Sequence, residues 1–352
     1  MTEPVKLGIV GLGRWAKVLT RAGQKSNKFK IVAGYSRSEE KRQEFQDEFG
    51  IPSQPDMQTL LSDPEMKGVI LTVPNEHHLP VAEEVAKAGK HVYTEKPIAN
   101  NLKNGLAMEA LQEQYGINMM VGHSARLLNG TRRMKQAIES GELGTLCFME
   151  ANFSNERALE LTPDTWRWYK DKAPGGPLSQ LCIHQFNALH YLGGDIEQVN
   201  SIASKLSPVG AEVDDQSMTT LKFANGALGY VGSSWTTAGI YAIRVFGQKG
   251  MMHYEVDFCN WDTPDKLHET SLLYIQRGKD GYDKREVLDI PQGDMFCDEL
   301  DIFADSCVTG KLSDLTANDG NVALAVVNAA LRSIENNGAG VKISDIMAES
   351  KG

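Results

Sequence analysis

A short apolar run near the start of the chain, followed at once by two closely spaced glycines, limits the possible folds more than any other feature. Val5 to Val10 has the composition of a buried strand, and a glycine turn, Gly11-Leu-Gly13, separates it from a helical stretch that runs from Arg14 to about Ser26. A glycine permits a tight turn, and a small residue at position 16 lets the helix pack closely against the strand. The sequence therefore predicts a strand–turn–helix unit here.

The first third of the chain continues with strand and helix signals in alternation. The predicted strands cover residues 30–35, 68–73, 91–94 and 118–121, and the predicted helices cover residues 39–49, 78–88 and 102–115. Ser38 stands where a helix N-cap is expected. Strands that alternate with helices of this length form a parallel sheet with helices on both faces. Residues 1–122 are therefore predicted to be an α/β Rossmann domain, a doubly wound parallel sheet.

The pattern changes after about Gly122. Residues 145–274 are mostly strands with period-two alternation, and Asn225-Gly226 between two of them is a strong hairpin signal. One helix, at about 177–192, interrupts this region, and two more, at 296–308 and 318–335, close the chain. Residues 123–352 are predicted to form an α+β domain with a large, mostly antiparallel sheet.

Composition narrows the class of protein. With 41% hydrophobic and 23% charged residues the chain has the profile of a globular protein. The net charge is −10 and no Lys/Arg-rich run is present, so nucleic acid is not an expected partner. No apolar stretch approaches the roughly 20 residues that span a bilayer, and no signal peptide is recognised. The five widely spaced cysteines fit buried, reduced thiols, which favours a cytoplasmic protein. No two of the histidines pair with a carboxylate at ligand spacing, so no metal is expected.

The glycine-rich turn lies between a strand and a helix, the context in which G-x-G-x-x-A binds a dinucleotide. Gly13 has no side chain to block a pyrophosphate, and the helix N-terminus offers N–H groups and partial positive charge. The alternative is a glycine turn without a ligand. The predicted cofactor contacts in the turn are Gly11, Leu12, Gly13, Arg14, Trp15 and Ala16.

The end of the second predicted strand bears on which dinucleotide binds. An NAD site usually places a carboxylate there, but this chain has Ser36 and Arg37, which could hold a 2′-phosphate. We therefore expect NADP in preference to NAD. The nearby Glu39 and Glu40 keep NAD open.

Two further segments carry a family resemblance. The first comprises residues 73–78, VPNEHH, and residues 88–97, AGKHVYTEKP; the second comprises residues 175–187, GGPLSQLCIHQFN. Together with GLGRWA they resemble the Gfo/Idh/MocA family, the glucose–fructose oxidoreductase and inositol dehydrogenase group. The resemblance covers nearly the whole chain, and E-K-P after a strand is its most specific signal.

The resemblance implies roles for several residues. Lys96 of E-K-P would lie beside the nicotinamide and the substrate, with Glu95 near the cofactor ribose. The loop under the nicotinamide half would contain Pro74, Asn75 and His78. The Trp166-Arg167 pair resembles a segment that reaches back towards the cofactor, and Arg126 matches an arginine near the domain junction; we assign Trp166 and Arg126 to the substrate and Arg167 to the cofactor. By the same resemblance, residues 123–352 would bind the substrate. Relatives form dimers or tetramers through the open sheet of this domain, so a homo-dimer or homo-tetramer is expected.

The chain departs from the family pattern around His184. Many family dehydrogenases carry Asp four residues before this histidine and three residues after it, where this chain has Gln180 and Asn187. That puts in doubt any mechanism that needs a carboxylate beside His184. At i, i+4 and i+7 the three side chains are predicted to share one helix face, and both amides can bind substrate hydroxyls.

Oxidation of an alcohol by a nicotinamide moves a hydride to the ring and a proton to the protein. His184 suits proton transfer near neutral pH, and the Lys96 ammonium would stabilise a developing alkoxide. A nearby ammonium would also disfavour imidazolium at His184. The predicted function is hydride transfer between NAD(P) and a hydroxyl or keto carbon of a small sugar, cyclitol or dihydrodiol.

Three alternatives stay open. His184 could be a structural histidine of an amphipathic helix. The chain could be a non-redox enzyme that retains NAD and cleaves glycosides or eliminates groups. It could also be a non-catalytic NAD(P)-binding regulator, although retention of Lys96 and His184 favours an enzyme.

Overall fold

The computed structural model describes residues 3–258, 263–312 and 314–351. Its internal contacts divide the chain into two compact units. The first comprises the chain through Ser124 together with Asp294–Asn321 and Lys351. The second comprises Ala125–Gly293 and Val322–Ser350.

The first unit contains a five-stranded sheet in which every neighbouring pair is parallel. Its order is β2-β1-β3-β4-β5, so β1 has β2 on one side and β3 on the other. Ligands of such sheets bind at this switch point, outside the carboxyl ends of the strands. The predicted parallel Rossmann sheet is confirmed, with strands β1 (Val5–Val10), β2 (Phe29–Tyr35), β3 (Met66–Leu71), β4 (His91–Glu95) and β5 (Met119–Gly122).

The helices of this region are α1 (Arg14–Gly23), α2 (Glu39–Phe49), α3 (Met57–Leu61), α4 (His78–Lys87) and α5 (Leu102–Tyr115). Ser38 caps α2 as predicted, because its side chain accepts a hydrogen bond from the Lys41 backbone N–H. Helix α1 ends three residues earlier than expected, and the short α3 was not predicted. Five residues are too few to show a helical period.

A segment distant in sequence completes the first unit. Helix α8 (Met295–Thr309) packs on β1 and β3. Its Phe303 ring lies 5.9 Å from the Tyr93 ring, measured between centroids. The predicted division after residue 122 is close to the contact division at Ser124, but the contacts assign residues 294–321 to the first unit. The division into two folding domains, residues 1–122 and 123–352, stays a prediction.

The second unit is built on a nine-stranded sheet of order β13-β12-β11-β10-β6-β9-β8-β7-β14. All neighbouring pairs are antiparallel except β6 with β9, which confirms the predicted large, mostly antiparallel sheet. The strands are β6 (Leu146–Ser154), β7 (Ile196–Ser204), β8 (Gln216–Phe223), β9 (Leu228–Ser234), β10 (Ile240–Gly247), β11 (Gly250–Val256), β12 (Leu272–Arg277), β13 (Glu286–Val287) and β14 (Val341–Lys342).

The predicted hairpin turn is confirmed between β8 and β9. Gly226 has φ +89°, and the Asn225 side-chain oxygen accepts a hydrogen bond from the Ala227 N–H at 3.0 Å. This left-handed conformation is one that glycine adopts without steric cost.

The later helices are α6 (Asn129–Glu139), α7 (Ile183–Gly193), α9 (Ala317–Glu335) and α10 (Ile343–Lys351). The sequence did not predict α6 or α10. Leu128 stands at the N-cap of α6 and makes no capping hydrogen bond, so α6 lacks the usual start signal. Residues 178–182 form a π-helical turn before α7, where a regular α-helix was expected.

Within the three described ranges, no helix is long and apolar enough to cross a membrane.

Four cysteines are described, all free: Cys182 and Cys307 are buried, Cys297 is half-buried and Cys147 is exposed. The expectation of buried thiols is therefore wrong for Cys147, which is exposed near the start of β6. Cys259 lies outside the described residues.

The packing of α8 on the sheet can be tested at Gly68. A Cβ at this position would lie 2.7 Å from Phe303 Cζ and 3.1 Å from Cys307 Sγ. We expect Gly68→Ala to lower the free energy of unfolding by about 1–3 kcal/mol through overpacking, measured by denaturant unfolding. Gly232→Ala is the control, since its Cβ would meet only Asn152 Nδ2 at 3.5 Å. Equal stability of the two variants would contradict the packing.

Candidate functional site

Gly11 forms a tight turn against the end of β3. Its φ is +96°, and a Cβ would lie 2.8 Å from both Thr72 C and Val73 N. The Thr72 hydroxyl donates a hydrogen bond to the Gly11 carbonyl oxygen at 2.6 Å. Only glycine fits both the conformation and the space, so this glycine builds the turn.

Gly13 has the opposite surroundings. It is the N-cap of α1 in an extended conformation, and a Cβ there would meet nothing within 4 Å. No side chain caps α1, and its first turn contains no acidic residue. An uncapped helix N-terminus beneath open space suits a pyrophosphate, so the residues present fit a dinucleotide. Leu12 and Ala16 are buried beneath the turn, and Arg14 is exposed.

The loop after β2 is held by a residue that the sequence did not single out. Arg42 Nη1 donates to the backbone oxygen of Ser36 at 2.6 Å and to that of Arg37 at 3.2 Å. The Arg37 side chain is exposed and Ser36 is half-buried. Arg42 thus fixes the backbone that carries the two residues predicted to select the cofactor. Its position in the first half of α2 is typical of many solvated arginines, so no local signal identifies it.

His78 joins the loop after β3 to the loop after β4. The ring is fully buried, with Nδ1 3.1 Å from both the Pro97 and Ile98 carbonyl oxygens and Nε2 3.0 Å from the Val73 carbonyl oxygen. Burial lowers the pKa of His78, against the opposing effect of these backbone partners. The described contacts of the ring are with backbone carbonyl oxygens, so His78 supports the two loops. Direct contact of His78 with a cofactor stays a prediction. Pro74 is exposed and Asn75 half-buried in the same loop.

The E-K-P segment follows β4, with Glu95 buried and Lys96 half-buried before a cis peptide bond to Pro97. Burial raises the pKa of Glu95 to about 7, while the Trp15 indole N–H and the positive charge of Lys96 act in the opposite direction. Glu299 of α8 lies in the same buried cluster. The sequence did not mark Glu299 as a site residue, because its partners are about 200 positions away in the chain.

Four of the predicted segments therefore meet at one edge of the parallel sheet. The glycine turn, residues 36–37, the loop at 74–78 and residues 95–96 each follow the carboxyl end of a strand. This is the edge at which parallel α/β sheets bind their ligands.

The second predicted set lies in the second unit. Gln180 is in the π-helical turn, whereas His184 and Asn187 are in α7, so the regular i, i+4, i+7 spacing is interrupted. Gln180 and His184 are half-buried, and the His184 ring lies 5.9 Å from that of Phe153. Asn187 is 1% exposed, and neither side-chain polar atom has a hydrogen-bond partner in the described part of the chain. A buried amide whose polar atoms lack a protein partner is suited to binding a polar ligand.

The remaining predicted residues make aromatic contacts within the second unit. Arg126 is buried, with its guanidinium carbon 4.4 Å from the centre of the Tyr191 ring. Trp166 is exposed, and the guanidinium carbon of Arg167 lies 4.2 Å from its ring centre. Contact of these side chains with substrate or cofactor stays a prediction.

Gly13 provides a direct test of the dinucleotide site. We expect Gly13→Ala to leave thermal stability nearly unchanged, because the methyl group enters open space, and to weaken NAD(P)H binding by about tenfold or more by occupying the pyrophosphate position. Fluorescence titration of the reduced cofactor measures the affinity. Gly11→Ala is the contrasting variant and should lose stability as well. Unchanged cofactor affinity in Gly13→Ala would refute the site.

Comparison with known proteins agrees with this geometry. Residues 5–123 match the model of an oxidoreductase family with an NAD-binding Rossmann fold. Residues 131–253 match the GFO/IDH/MocA C-terminal domain.

Individual relatives extend over nearly the whole chain. A crystal structure from Desulfitobacterium hafniense, assigned as an NADPH-dependent oxidoreductase, is 34% identical with a TM-score of 0.94 and covers 99% of this chain and 100% of its own. Aldose-aldose oxidoreductase from Caulobacter crescentus is 26% identical with a TM-score of 0.84, covering 96% and 99%. Myo-inositol 2-dehydrogenase of Thermotoga maritima is 24% identical over 348 residues, 94% of this chain and 96% of that protein. The paired family models, the Rossmann sheet and the glycine turn together show that this chain belongs to the Gfo/Idh/MocA family of NAD-binding oxidoreductases.

Proposed function

We propose that this oxidoreductase interconverts a secondary hydroxyl and a keto group on a small sugar, cyclitol or dihydrodiol, with Lys96 and His184 as its catalytic residues. The observation that carries the proposal is the common placement of the uncapped α1 N-terminus at Gly13 and the Glu95-Lys96 pair at one edge of the parallel sheet. A dinucleotide that begins at the first reaches the second across the switch point.

The cofactor would be held by the glycine turn at its pyrophosphate and by Ser36 and Arg37 at the adenosine ribose. NADP is the proposed form, because the loop at 36–38 has two hydroxyls and a guanidinium and no carboxylate. The Arg42 contacts, which hold this loop, support a preformed site. The Desulfitobacterium relative is itself assigned to NADPH.

The nicotinamide, when bound, accepts or supplies a hydride at C4. The ammonium of Lys96 would stabilise negative charge on the substrate oxygen. His184 would take the hydroxyl proton in oxidation and return it in reduction. The charge environment of His184 differs from that in Asp-bearing relatives, because Gln180 and Asn187 are uncharged.

A polyhydroxylated substrate is supported by the chemistry of the α7 region. The Asn187 amide can donate two hydrogen bonds and accept two, and it is buried without a partner in the described ranges. A substrate hydroxyl, which both donates and accepts, would complement such an amide. Two of the relatives carry the names of aldose and inositol enzymes, which are consistent with this class.

We also propose a homo-dimer or homo-tetramer formed through the open face of the nine-stranded sheet. The ring of Phe148 lies 6.0 Å from that of Tyr230 and 5.8 Å from that of Phe246, and all three side chains point to this face. On the same face Ile202 and Met218 are 62% and 52% exposed. Large exposed apolar patches of this kind typically mark interfaces. A cytoplasmic location stays a prediction.

A cofactor-retaining non-redox enzyme and a non-catalytic regulator are the less favoured functions. Neither is supported by a specific contact among the described residues. Net formation of reduced cofactor from an excess of substrate distinguishes the proposed oxidoreductase from both, since neither alternative accumulates it. A screen of sugars, inositols, sugar acids and cis-dihydrodiols with NAD and NADP, followed by absorbance, tests the proposal.

The role of His184 predicts a specific kinetic defect. We expect His184→Ala to lower kcat by about 10²–10⁴-fold with nearly unchanged cofactor affinity, because proton transfer is lost while the cofactor contacts remain. Steady-state rates and cofactor titration measure the two effects. His190→Ala in the same helix is the matched control, since the His190 ring bonds its own helix end at Gly194. Full activity of His184→Ala would remove it as the base.

The cofactor preference makes a separate prediction at Arg37. We expect Arg37→Ala to weaken NADPH binding by about 10–100-fold and NADH binding far less, because only NADPH carries the 2′-phosphate. Titration of both cofactors measures the ratio. Lys41→Ala, which removes an exposed cation of α2, is the control. Equal weakening of the two cofactors by Arg37→Ala would contradict a phosphate clamp.

A further inference from the structure

Three buried side chains of the first unit share one hydrogen-bonded cluster. Tyr93 and Glu95 are two residues apart on β4 and so project from the same face, and Glu299 comes from α8. The Tyr93 hydroxyl oxygen lies 3.1 Å from Glu95 Oε1 and 2.8 Å from Glu299 Oε1. Tyr93 and Glu299 are inaccessible to solvent, and Glu95 is 9% exposed.

The number of protons in this cluster follows from its geometry. A phenol carries one hydrogen, so Tyr93 can donate to only one of the two carboxyl groups. If both were ionised, the other contact would bring two oxygens together with no hydrogen between them. The second contact becomes a hydrogen bond only if one carboxyl is protonated and donates to the Tyr93 oxygen. Burial and the two neighbouring carboxyls raise the pKa of Tyr93 far above its usual value, so the phenol keeps its own proton.

The surroundings decide which carboxyl is protonated. Glu95 faces the Trp15 indole N–H, the backbone N–H of Lys96 and the Lys96 charge, all of which favour a carboxylate. Glu299 faces the Glu95 carboxyl and Asp294, with the Tyr93 and Ser124 hydroxyls opposing them, and Asp294 is itself paired with Lys25 at 2.8 Å. Burial raises the pKa of Glu299 well above its usual value, and Glu299 is also the more deeply buried of the two, at 0% exposed against 9% for Glu95. Glu299 is therefore the acid and Glu95 the carboxylate.

Gly122 has no side chain and so leaves room for the cluster of Tyr93, Glu95 and Glu299. It is the direct neighbour of Glu95 on β5, and a Cβ there would lie 2.2 Å from the Tyr93 hydroxyl oxygen and 3.2 Å from Glu95 Oε1. Any larger residue would displace the hydroxyl that bridges the two carboxyls. The sheet thus accommodates this cluster through a glycine on the adjacent strand.

We propose that Glu299 is a positioning residue which, in its protonated form, donates through Tyr93 to the Glu95 carboxylate and so fixes a single negative charge beside Lys96. That charge matches the one positive charge of Lys96 and holds its ammonium at the end of β4. The proton count depends on the first unit alone, whereas its effect on catalysis rests on the proposed function.

Infrared spectroscopy of the cofactor-free protein tests the proton count. Glutamate is labelled with ¹³C at the side-chain carboxyl, and spectra are taken at about pH 9, well above the pKa of about 7 of Glu95. We expect one carbonyl band of a protonated glutamic acid in the wild type and its loss in Glu299→Gln. Glu109→Gln is the matched control: Glu109 lies outside the cluster and accepts a hydrogen bond from Asn321 Nδ2, so the band should persist. Absence of the band from the wild type, or its persistence in Glu299→Gln, would overturn the proposal.

Tyr93→Phe provides a second variant if Glu299→Gln does not fold. It removes the acceptor of the acid while keeping both carboxyls, so the acid band should shift to higher frequency. An unshifted band would overturn the proposal as well.

Kinetics test the link to Lys96. Glu299→Gln imitates the protonated acid and should keep kcat/KM within about threefold, whereas Tyr93→Phe, which removes a donor to Glu95, should lower it by about tenfold. Equal large losses in both variants would contradict the positioning role. Failure of the proposed function is distinguishable, since the wild type would then lack turnover while the infrared bands remained as described.

Discussion

The contact between the Gly11 turn and the backbone that follows β3 is the constraint on which the candidate site depends. Because Gly11 has no side chain, the carboxyl ends of the neighbouring strands β1 and β3 can approach each other closely. The Thr72 hydroxyl secures the approach, and Leu12 and Ala16 bury its inner side. The N-terminus of α1 is then directed over the edge of the sheet, and the loops after β2, β3 and β4 are arranged around it. A larger residue at position 11 would alter all of these positions together.

Backbone contacts made by polar side chains hold the loops of this edge. Arg42 binds two carbonyl oxygens of the loop after β2, and His78 lies between carbonyl oxygens of the loops after β3 and β4. Neither contact requires a ligand. Such supporting groups keep first-contact residues near their working geometry, as precise binding sites need. The exposed Arg37 and the half-buried Lys96 thus emerge from a backbone that is already fixed.

The elements that could be predicted are those whose signals are local. Helix α2 has the expected bounds because Ser38 starts it and Gly50, in a left-handed conformation, ends it. The parallel sheet and the Asn225-Gly226 hairpin likewise follow from short patterns. Helix α6 has no capping side chain, and the π-helical turn before α7 changes the helical period without any residue that announces it. Arg42 and Glu299 contact partners that come near them only in the folded chain. Sequence analysis could therefore predict the glycine turn and the E-K-P segment, but not the side chains that hold the backbone around them.

The return of α8 to the first unit has a consequence for the order in which the protein can form. The parallel strands are complete at residue 122, yet the helix that covers Gly68 and bonds Tyr93 is synthesised more than 170 positions later. Until then the nascent sheet exposes apolar surface and the Tyr93 hydroxyl lacks one of its two acidic partners. Residues 125–293, most of the second unit, emerge from the ribosome in that interval. Final consolidation of the cofactor-binding half is therefore a late event, governed by the last fifth of the chain.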